Sequence, residues 1–223
     1  MSLRGATIAF DLDGTLVDTV GDLIGSLNAV LAEQALSPLP LDAGRRLIGH
    51  GVSALVERAF AEQGHPLDSG PLAGMVDRFT EIYRGRIAQE SVAFPGAPEA
   101  LDALAAAGAR LAVCTNKRTA LSLELLDALK LTSRFAVVAG GDLIAQKPDP
   151  RILRYAIEKA GGEMARSLYV GDSMVDHATA RAAGVPVVGV TFGYVKTPLK
   201  AEDFDALIDA FEELPRVAER LIG

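Results

Sequence analysis

Acidic, basic and hydroxyl side chains stand at four points of the sequence where a short apolar run ends. Asp11 and Asp13 follow the first run, and Thr115 follows the second. Lys147 comes a few residues after the third run, and Asp172 comes after the fourth. Ligands of open α/β sheets bind beyond the carboxyl ends of the strands. If the four runs are parallel strands, we expect these five side chains to share one cleft.

The spacing of Asp11 and Asp13 predicts a pair of acids with different tasks. On an extended segment, residues two apart face the same side, and their repulsion should raise the pKa of one of them. Such a pair supplies an ionised nucleophile and a protonatable acid/base. Attack by Asp11 on a phosphate would give an aspartyl phosphate. Asp13 would then change from acid to base as water hydrolyses this intermediate.

A carboxylate that attacks a phosphate dianion needs positive charge beside it. Asp172 adds a third carboxylate, and oxygen donors without His or Cys favour Mg²⁺. Lys147 is a point cation suited to phosphate, and Thr115 and the Asn116 backbone can donate hydrogen bonds to phosphate oxygens. Gly14 lets the backbone approach closely. Neutralisation of charge by metal and lysine is therefore the main catalytic task that we predict.

Short β-rich runs alternate with segments rich in Ala and Leu along most of the chain. The predicted strands are Ala6–Phe10, Ala109–Cys114, Phe135–Ala139, Ser167–Val170 and Val187–Val190. The predicted helices between them are Pro98–Ala107, Arg118–Lys130, Pro150–Ala160 and Met174–Ala183. This alternation predicts an α/β fold with a Rossmann-like parallel sheet covered on both faces.

One long interval interrupts this alternation. Between the first two predicted strands, residues 18–35, 51–63 and 71–88 have the pattern of helices, and no strand is evident. A compact α/β core does not accommodate so long a connection as a loop. We therefore predict an inserted helical cap, residues 16–94, and a discontinuous core formed by residues 1–15 and 95–223.

Composition excludes several classes of function. Lys and Arg total 22 against 29 Asp and Glu, and the net charge of −7 disfavours nucleic-acid binding. A single Cys excludes an internal disulfide and a Cys-based zinc finger. No apolar run has the length of a signal segment or a membrane span. We expect a cytoplasmic monomer or homodimer without a membrane or nucleic-acid partner. The acidic interval 202–219 is interpreted as a solvated helix face.

Four motifs together resemble those of the haloacid-dehalogenase-like hydrolase superfamily. In chain order they are Asp11–Thr15, Thr115–Lys117, Lys147–Pro150 and Gly171–Asp176. The resemblance covers essentially the whole chain, including a helical cap after the first motif. It implies a Rossmann-like core, dependence on Mg²⁺ and phosphatase-type transfer.

The same resemblance implies a role for each motif residue. The metal would be held by Asp11, which is also the nucleophile, by Asp172, and by the backbone carbonyl of Asp13. Thr115 and Lys147 would hold the phosphate. Supporting roles fall to Ser173 and Asp176, the latter orienting Lys147 or a metal-bound water.

Within the superfamily, the chain most resembles the phosphoglycolate phosphatases. The segments that carry this resemblance are Phe10–Asp18, Ile48–Gly51, Leu55–Arg58, Thr115–Lys117, Gly140–Asp142 and Gly189–Tyr194. It implies that the substrate is a small phosphorylated metabolite, 2-phosphoglycolate. In the cap, His50 is predicted to contact the substrate. Arg46, and equally Arg45 or Arg58, could bind a substrate carboxylate through two hydrogen bonds.

Two other functions remain open. A sugar phosphomutase of the β-phosphoglucomutase type would use the same core chemistry, and Arg46 with Gly49 loosely suits that class. A non-catalytic phosphate-binding module would be expected to have lost Asp11 or Lys147, and both are present. A dehalogenase would be expected to lack the second acid, because halide departure needs no proton, so Asp13 argues against that activity.

Overall fold

A computed structural model describes residues 2–194 and 199–223 of the chain. The β-strands in these residues are β1 (Thr7–Phe10), β2 (Val17–Asp18), β3 (Val92–Ala93), β4 (Arg110–Thr115), β5 (Val137–Gly140), β6 (Ser167–Gly171), β7 (Val187–Val190) and β8 (Ala206–Ile208). Six of them form one sheet in the order β5-β4-β1-β6-β7-β8, and every neighbouring pair in it is parallel. The predicted Rossmann-like α/β fold is confirmed.

The helices in the described residues are α1 (Val20–Glu33), α2 (Leu41–Arg45), α3 (Gly51–Glu62), α4 (Ser69–Arg84), α5 (Ala97–Ala106), α6 (Thr119–Ala128), α7 (Pro150–Lys159), α8 (Met174–Ala183) and α9 (Leu214–Ile222). Local chemistry sets several of their ends. Asp149 caps α7 by accepting a hydrogen bond from the Arg151 N–H at 2.9 Å, with Pro150 in the first turn. Within the described part of the chain, no helix combines the length and apolarity needed to cross a membrane.

The strand order places a switch point at the centre of the sheet. β1 lies between β4 and β6, so the chain crosses to one side of β1 first and later to the other. The loops that follow β1 and β6 therefore diverge and leave a crevice at the carboxyl edge. Asp11 and Asp172 both lie in this crevice, directly after β1 and β6.

Apolar side chains fill both faces of the sheet and a separate helical core. Along β1, Ile8 and Phe10 pack into the cluster on one face, whereas Ala9 packs into the cluster on the other. This alternation is the normal consequence of strand geometry. Leu27 of α1 and Phe79 of α4 belong to a third cluster, formed mainly by the helices between β2 and β3. Those helices thus bury apolar surface largely against one another.

The C-terminal region differs from its sequence interpretation. The reading of residues 202–219 as one helix face is wrong, because Ala206–Ile208 form β8, paired in parallel with β7. The acids lie outside this short apolar strand, and α9 begins only at Leu214. The predicted strands of the main sheet and the helices between them agree with the structure to within two residues at each end. The five-residue α2 was not predicted.

Two adjacent segments lead into and out of the helical insertion. β2 pairs antiparallel with β3, so the two segments run side by side. Asp22, fully buried in the first turn of α1, accepts hydrogen bonds from the Glu90 N–H at 3.0 Å, the Ser91 N–H at 2.8 Å and the Ser91 hydroxyl at 2.6 Å. Asp22 therefore fastens the returning segment to α1. The cap boundaries 16–94 remain a proposal.

Replacing Asp22 with Ala should lower the free energy of unfolding by roughly 3 kcal/mol, because three donors lose a buried acceptor. Urea titration followed by circular dichroism would measure this loss. The matched control is Asp127→Ala at an exposed position of α6, where a change within about 0.5 kcal/mol is expected. Equal stability of the two variants would contradict the fastening role of Asp22.

Candidate active site

Three buried carboxylates meet at the switch point of the sheet. One oxygen from each of Asp11, Asp172 and Asp176 lies within 4.8 Å of the others. Asp11 follows β1, Asp172 follows β6, and Asp176 is in the first turn of α8. Three like charges this close repel one another strongly in a desolvated cleft. A hard divalent cation suits this donor set, so the cluster could hold a metal ion.

Lys147 lies against this cluster and supplies its internal cation. Its Nζ is 2.8 Å from Asp11 Oδ1, 2.7 Å from Asp176 Oδ1 and 3.1 Å from Tyr169 Oη. Burial by itself lowers the pKa of Lys147, but the carboxylates of Asp11 and Asp176 outweigh this and raise the pKa above its usual range. Lys147 therefore stays protonated at neutral pH.

Tyr169 holds the lysine in place and was not predicted. Its hydroxyl lies 2.8 Å from the Cys114 carbonyl oxygen and 2.9 Å from Asp176 Oδ1. A tyrosine in an otherwise aliphatic strand needs a partner for its hydroxyl when it is buried. That requirement is the sequence signal that could have marked Tyr169 as part of a polar network.

Burial dominates the proton affinities of the two acids at the strand ends. It raises the pKa of Asp11 to about 6, with repulsion from Asp176 adding to it and attraction to Lys147 opposing it. We predicted that repulsion between Asp11 and Asp13 would raise this pKa, but repulsion from Asp13 is only a minor cause and burial is the main one. Burial, together with Asp176 and Asp11, raises the pKa of Asp172 to about 8.

Asp13 is turned away from the three clustered carboxylates. Its carboxylate accepts hydrogen bonds from Lys117 Nζ at 3.0 and 3.3 Å and from the Thr19 hydroxyl at 2.8 Å. The side chain of Asp13 therefore lies outside the metal cluster, which leaves its backbone carbonyl as the group that we predicted for the metal. Lys117 belongs to the second sequence motif, but no role was predicted for it.

Close packing explains the glycine after Asp13. Gly14 has a φ of +86°, and a Cβ atom there would lie 2.6 Å from Asp172 Oδ2. The same carboxylate oxygen accepts a hydrogen bond from the Tyr194 N–H at 2.7 Å, while the Tyr194 hydroxyl lies 2.7 Å from Asp18 Oδ1. Tyr194 thus connects Asp172 to the segment before α1. In the sequence analysis, Tyr194 was named only as the end of a segment that carries the family resemblance.

A small pocket opens between the sheet edge and the helical insertion. Its polar lining is Asp11, Asp13, Thr115, Asn116 and Lys117, and its remaining walls are Leu23, Ile48, Gly49, Gly51, Val52 and Leu55. Asn116 joins the two sides, because its Nδ2 donates to the Gly49 carbonyl at 3.1 Å and its Oδ1 accepts from the Lys147 N–H at 2.7 Å. The side chain of Asn116 is therefore occupied by protein contacts.

The remaining predicted residues have different positions. Ser173 caps α8 in a capping box with Asp176 and lines a second pocket beside Asp172. His50 is half-buried in that second pocket, with Nδ1 3.3 Å from an Arg58 guanidinium nitrogen. Arg46 is exposed and lines neither pocket, so the structure does not bring it to the site.

Comparison with known proteins agrees with this architecture. Residues 8–190 match the family model of the haloacid dehalogenase-like hydrolases. The chain belongs to this family. A family member from Caulobacter vibrioides, named phosphoglycolate phosphatase, is 49% identical over 99% of this chain and 93% of its own length. A protein of the same name from Agrobacterium fabrum is 45% identical over 96% of this chain and 93% of its own.

The solved structures include close matches of the whole fold. The crystal structure of a predicted phosphoglycolate phosphatase from Haemophilus somnus superposes with a TM-score of 0.88. The match covers 97% of this chain and 99% of that one, at 32% sequence identity. The similarity therefore includes the helical insertion as well as the sheet.

The buried carboxyls should make the metal-free protein less stable as the pH rises. Asp11 and Asp172 bind protons more tightly in the folded chain than in the unfolded chain, so their contribution to stability is lost as the pH passes about 6 and then about 8. In the presence of EDTA, the free energy of unfolding should fall by roughly 5 kcal/mol between pH 5 and pH 8, most of it from Asp172. Urea titrations across this range would measure the slope.

An Asp172→Asn variant should lose most of this slope, because its side chain does not ionise. Asp127→Asn, at the exposed position on α6, should keep the slope of the wild type. A free energy of unfolding that is constant or rises over the same interval would show that the carboxyls are not destabilised when ionised.

Proposed function

We propose that this protein is a Mg²⁺-dependent phosphatase that hydrolyses 2-phosphoglycolate through an aspartyl-phosphate intermediate. The observation that carries the proposal is the contact of Asp11 Oδ1 with Lys147 Nζ at 2.8 Å, inside a buried carboxylate cluster. This arrangement suits attack of one anion on another. The names of the relatives from Caulobacter vibrioides and Agrobacterium fabrum support phosphoglycolate as the substrate.

The site residues supply positive charge and hydrogen bonds to the phosphate. Lys147 is held by Asp176 and Tyr169, so its ammonium group is positioned before substrate binds. Thr115, which lines the pocket with Asp11, can donate its hydroxyl to a phosphate oxygen. Mg²⁺ held by Asp11, Asp172 and the backbone of Asp13 would supply the charge that offsets repulsion between nucleophile and substrate.

The chemistry then proceeds in two steps on Asp11. An Asp11 oxygen forms a bond to phosphorus while the bond from phosphorus to the ester oxygen breaks, and Asp13 gives a proton to the departing oxygen. In the second step Asp13 takes a proton from water, which attacks the aspartyl phosphate and releases inorganic phosphate. Lys117 and Thr19 hold the Asp13 carboxyl in position for both transfers.

The mutase alternative is not favoured. Arg46, the residue that suggested it, is exposed and lines neither pocket at the site. The side chains that the helical insertion contributes to the pocket beside Asp11 are aliphatic, namely Leu23, Ile48, Val52 and Leu55. These side chains offer no hydrogen-bond partner for the hydroxyl groups of a sugar phosphate.

Replacing Asp11 with Asn should lower kcat for 2-phosphoglycolate at least about 1,000-fold, because an amide cannot form the phosphoenzyme. Phosphate release with MgCl₂ would measure it, and EDTA should abolish turnover by the wild type. The control is Asp127→Asn, which should keep the wild-type rate. Metal-independent turnover, or wild-type rates for Asp11→Asn, would contradict the proposed mechanism.

Replacing Asp13 with Asn should separate the two steps when acetyl phosphate is the substrate. Acetate departs without a proton, so Asp11 is still phosphorylated, whereas hydrolysis lacks its base and slows about 100-fold. Intact-protein mass spectrometry should therefore detect one added phosphoryl group. The double variant Asp11→Asn/Asp13→Asn should not gain it. Absence of a phosphorylated species in Asp13→Asn would contradict the assigned base.

A further inference from the structure

Lys117, a buried lysine in the active-site pocket, has more hydrogen-bond donors than the proposed two-step chemistry uses. The side chain of Lys117 is only 3% exposed, and its Nζ contacts Asp13 at 3.0 Å. The same ammonium group lies over the Tyr83 ring of α4, 4.5 Å from the ring centroid. An ammonium group has three donors. Even with both Asp13 oxygens in contact, at 3.0 and 3.3 Å, one donor of Lys117 is left for a further anion.

Lys117 and Lys147 contact different acids of the site. Lys147 contacts Asp11, on the side where the phosphate is attacked. Lys117 contacts Asp13, the proposed acid for the departing ester oxygen. Among the side chains that line this pocket in the described part of the chain, Lys117 is the only cation. Its charge is thus placed next to the leaving group.

The position of Lys117 matches the layout of a phosphorylated 2-hydroxy acid. In such a substrate the carboxylate is attached to the carbon that bears the ester oxygen. An ammonium group in contact with the acid that protonates this oxygen is therefore within reach of the carboxylate. We propose that Lys117 determines specificity by binding the substrate carboxylate, which selects phosphate esters of small 2-hydroxy acids over phosphate esters of uncharged alcohols.

The rest of the pocket supports this assignment, which rests on the proposed phosphatase function. Leu23, Val52 and Leu55 line the same pocket as Lys117, so part of the surroundings of its charge is apolar. An ion pair formed in such surroundings contributes more than one formed in water. Asp13 keeps the Thr19 hydroxyl as a second partner, 2.8 Å away, while Lys117 binds substrate.

The test compares 2-phosphoglycolate with ethyl phosphate, which has a methyl group in place of the carboxylate. With Mg²⁺, the wild type should prefer phosphoglycolate by about 100-fold in kcat/KM, the effect of one charge-assisted contact in a desolvated site. Lys117→Met should lower kcat for both esters, because Asp13 loses a partner. It should also raise KM for phosphoglycolate and remove most of the preference.

Two further variants control for folding and for loss of charge. Lys159→Met, at an exposed lysine at the end of α7, should keep the wild-type preference. Lys117→Arg retains the cation and should keep the preference for phosphoglycolate to within about tenfold, even if Lys117→Met is unstable. Thermal unfolding of each variant would identify a folding defect.

The other outcomes overturn the inference in distinguishable ways. Equal loss of kcat/KM for both esters in Lys117→Met would mean that Lys117 only positions Asp13. A wild type that hydrolyses both esters equally well would exclude carboxylate recognition but leave the phosphatase function intact. A wild type that hydrolyses neither ester would overturn the phosphatase function and, with it, this inference.

Discussion

Repulsion among buried carboxylates is the constraint on which the rest of the site depends. Asp11, Asp172 and Asp176 are brought together by the ends of β1 and β6 and the start of α8, and desolvation makes each negative charge costly. Lys147 offsets part of that charge from within the cluster. The remaining excess of negative charge makes the cleft suitable for a divalent cation. A cation bound there would in turn reduce the repulsion between the carboxylates and an incoming phosphate.

The sheet and the helical insertion contribute different properties to this site. The ends of the parallel strands position Asp11 and Asp172, and Lys147 contacts Asp11 beside them. The insertion supplies apolar walls, and its residues Thr19 and Tyr83 contact Asp13 and Lys117 respectively. The carboxylate cluster therefore lies at the ends of the sheet strands, whereas the contacts of Asp13 and Lys117 depend on how the insertion packs against the sheet.

Sequence reasoning predicted what is local and missed what depends on tertiary contact. The strands, the crevice and the placement of Asp11 and Lys147 followed from apolar runs and the residues that end them. The ion pair of Asp13 with Lys117 joins residues 104 positions apart, and nothing in the residues around either one indicates it. For Arg46 the residue type was misleading. A guanidinium group suggested binding of the substrate carboxylate, but Arg46 lies at the C-terminal end of α2 and is exposed.

Asp176 is part of both the carboxylate cluster and the N-terminal cap of α8. One of its oxygens contacts Lys147, while the other accepts hydrogen bonds from the Ser173 N–H and hydroxyl at the start of α8. The position of the Lys147 ammonium group consequently depends on the N-terminal cap of α8. A substitution at Ser173 that weakens the cap of α8 should therefore also shift the ammonium group of Lys147, although Ser173 does not contact that lysine.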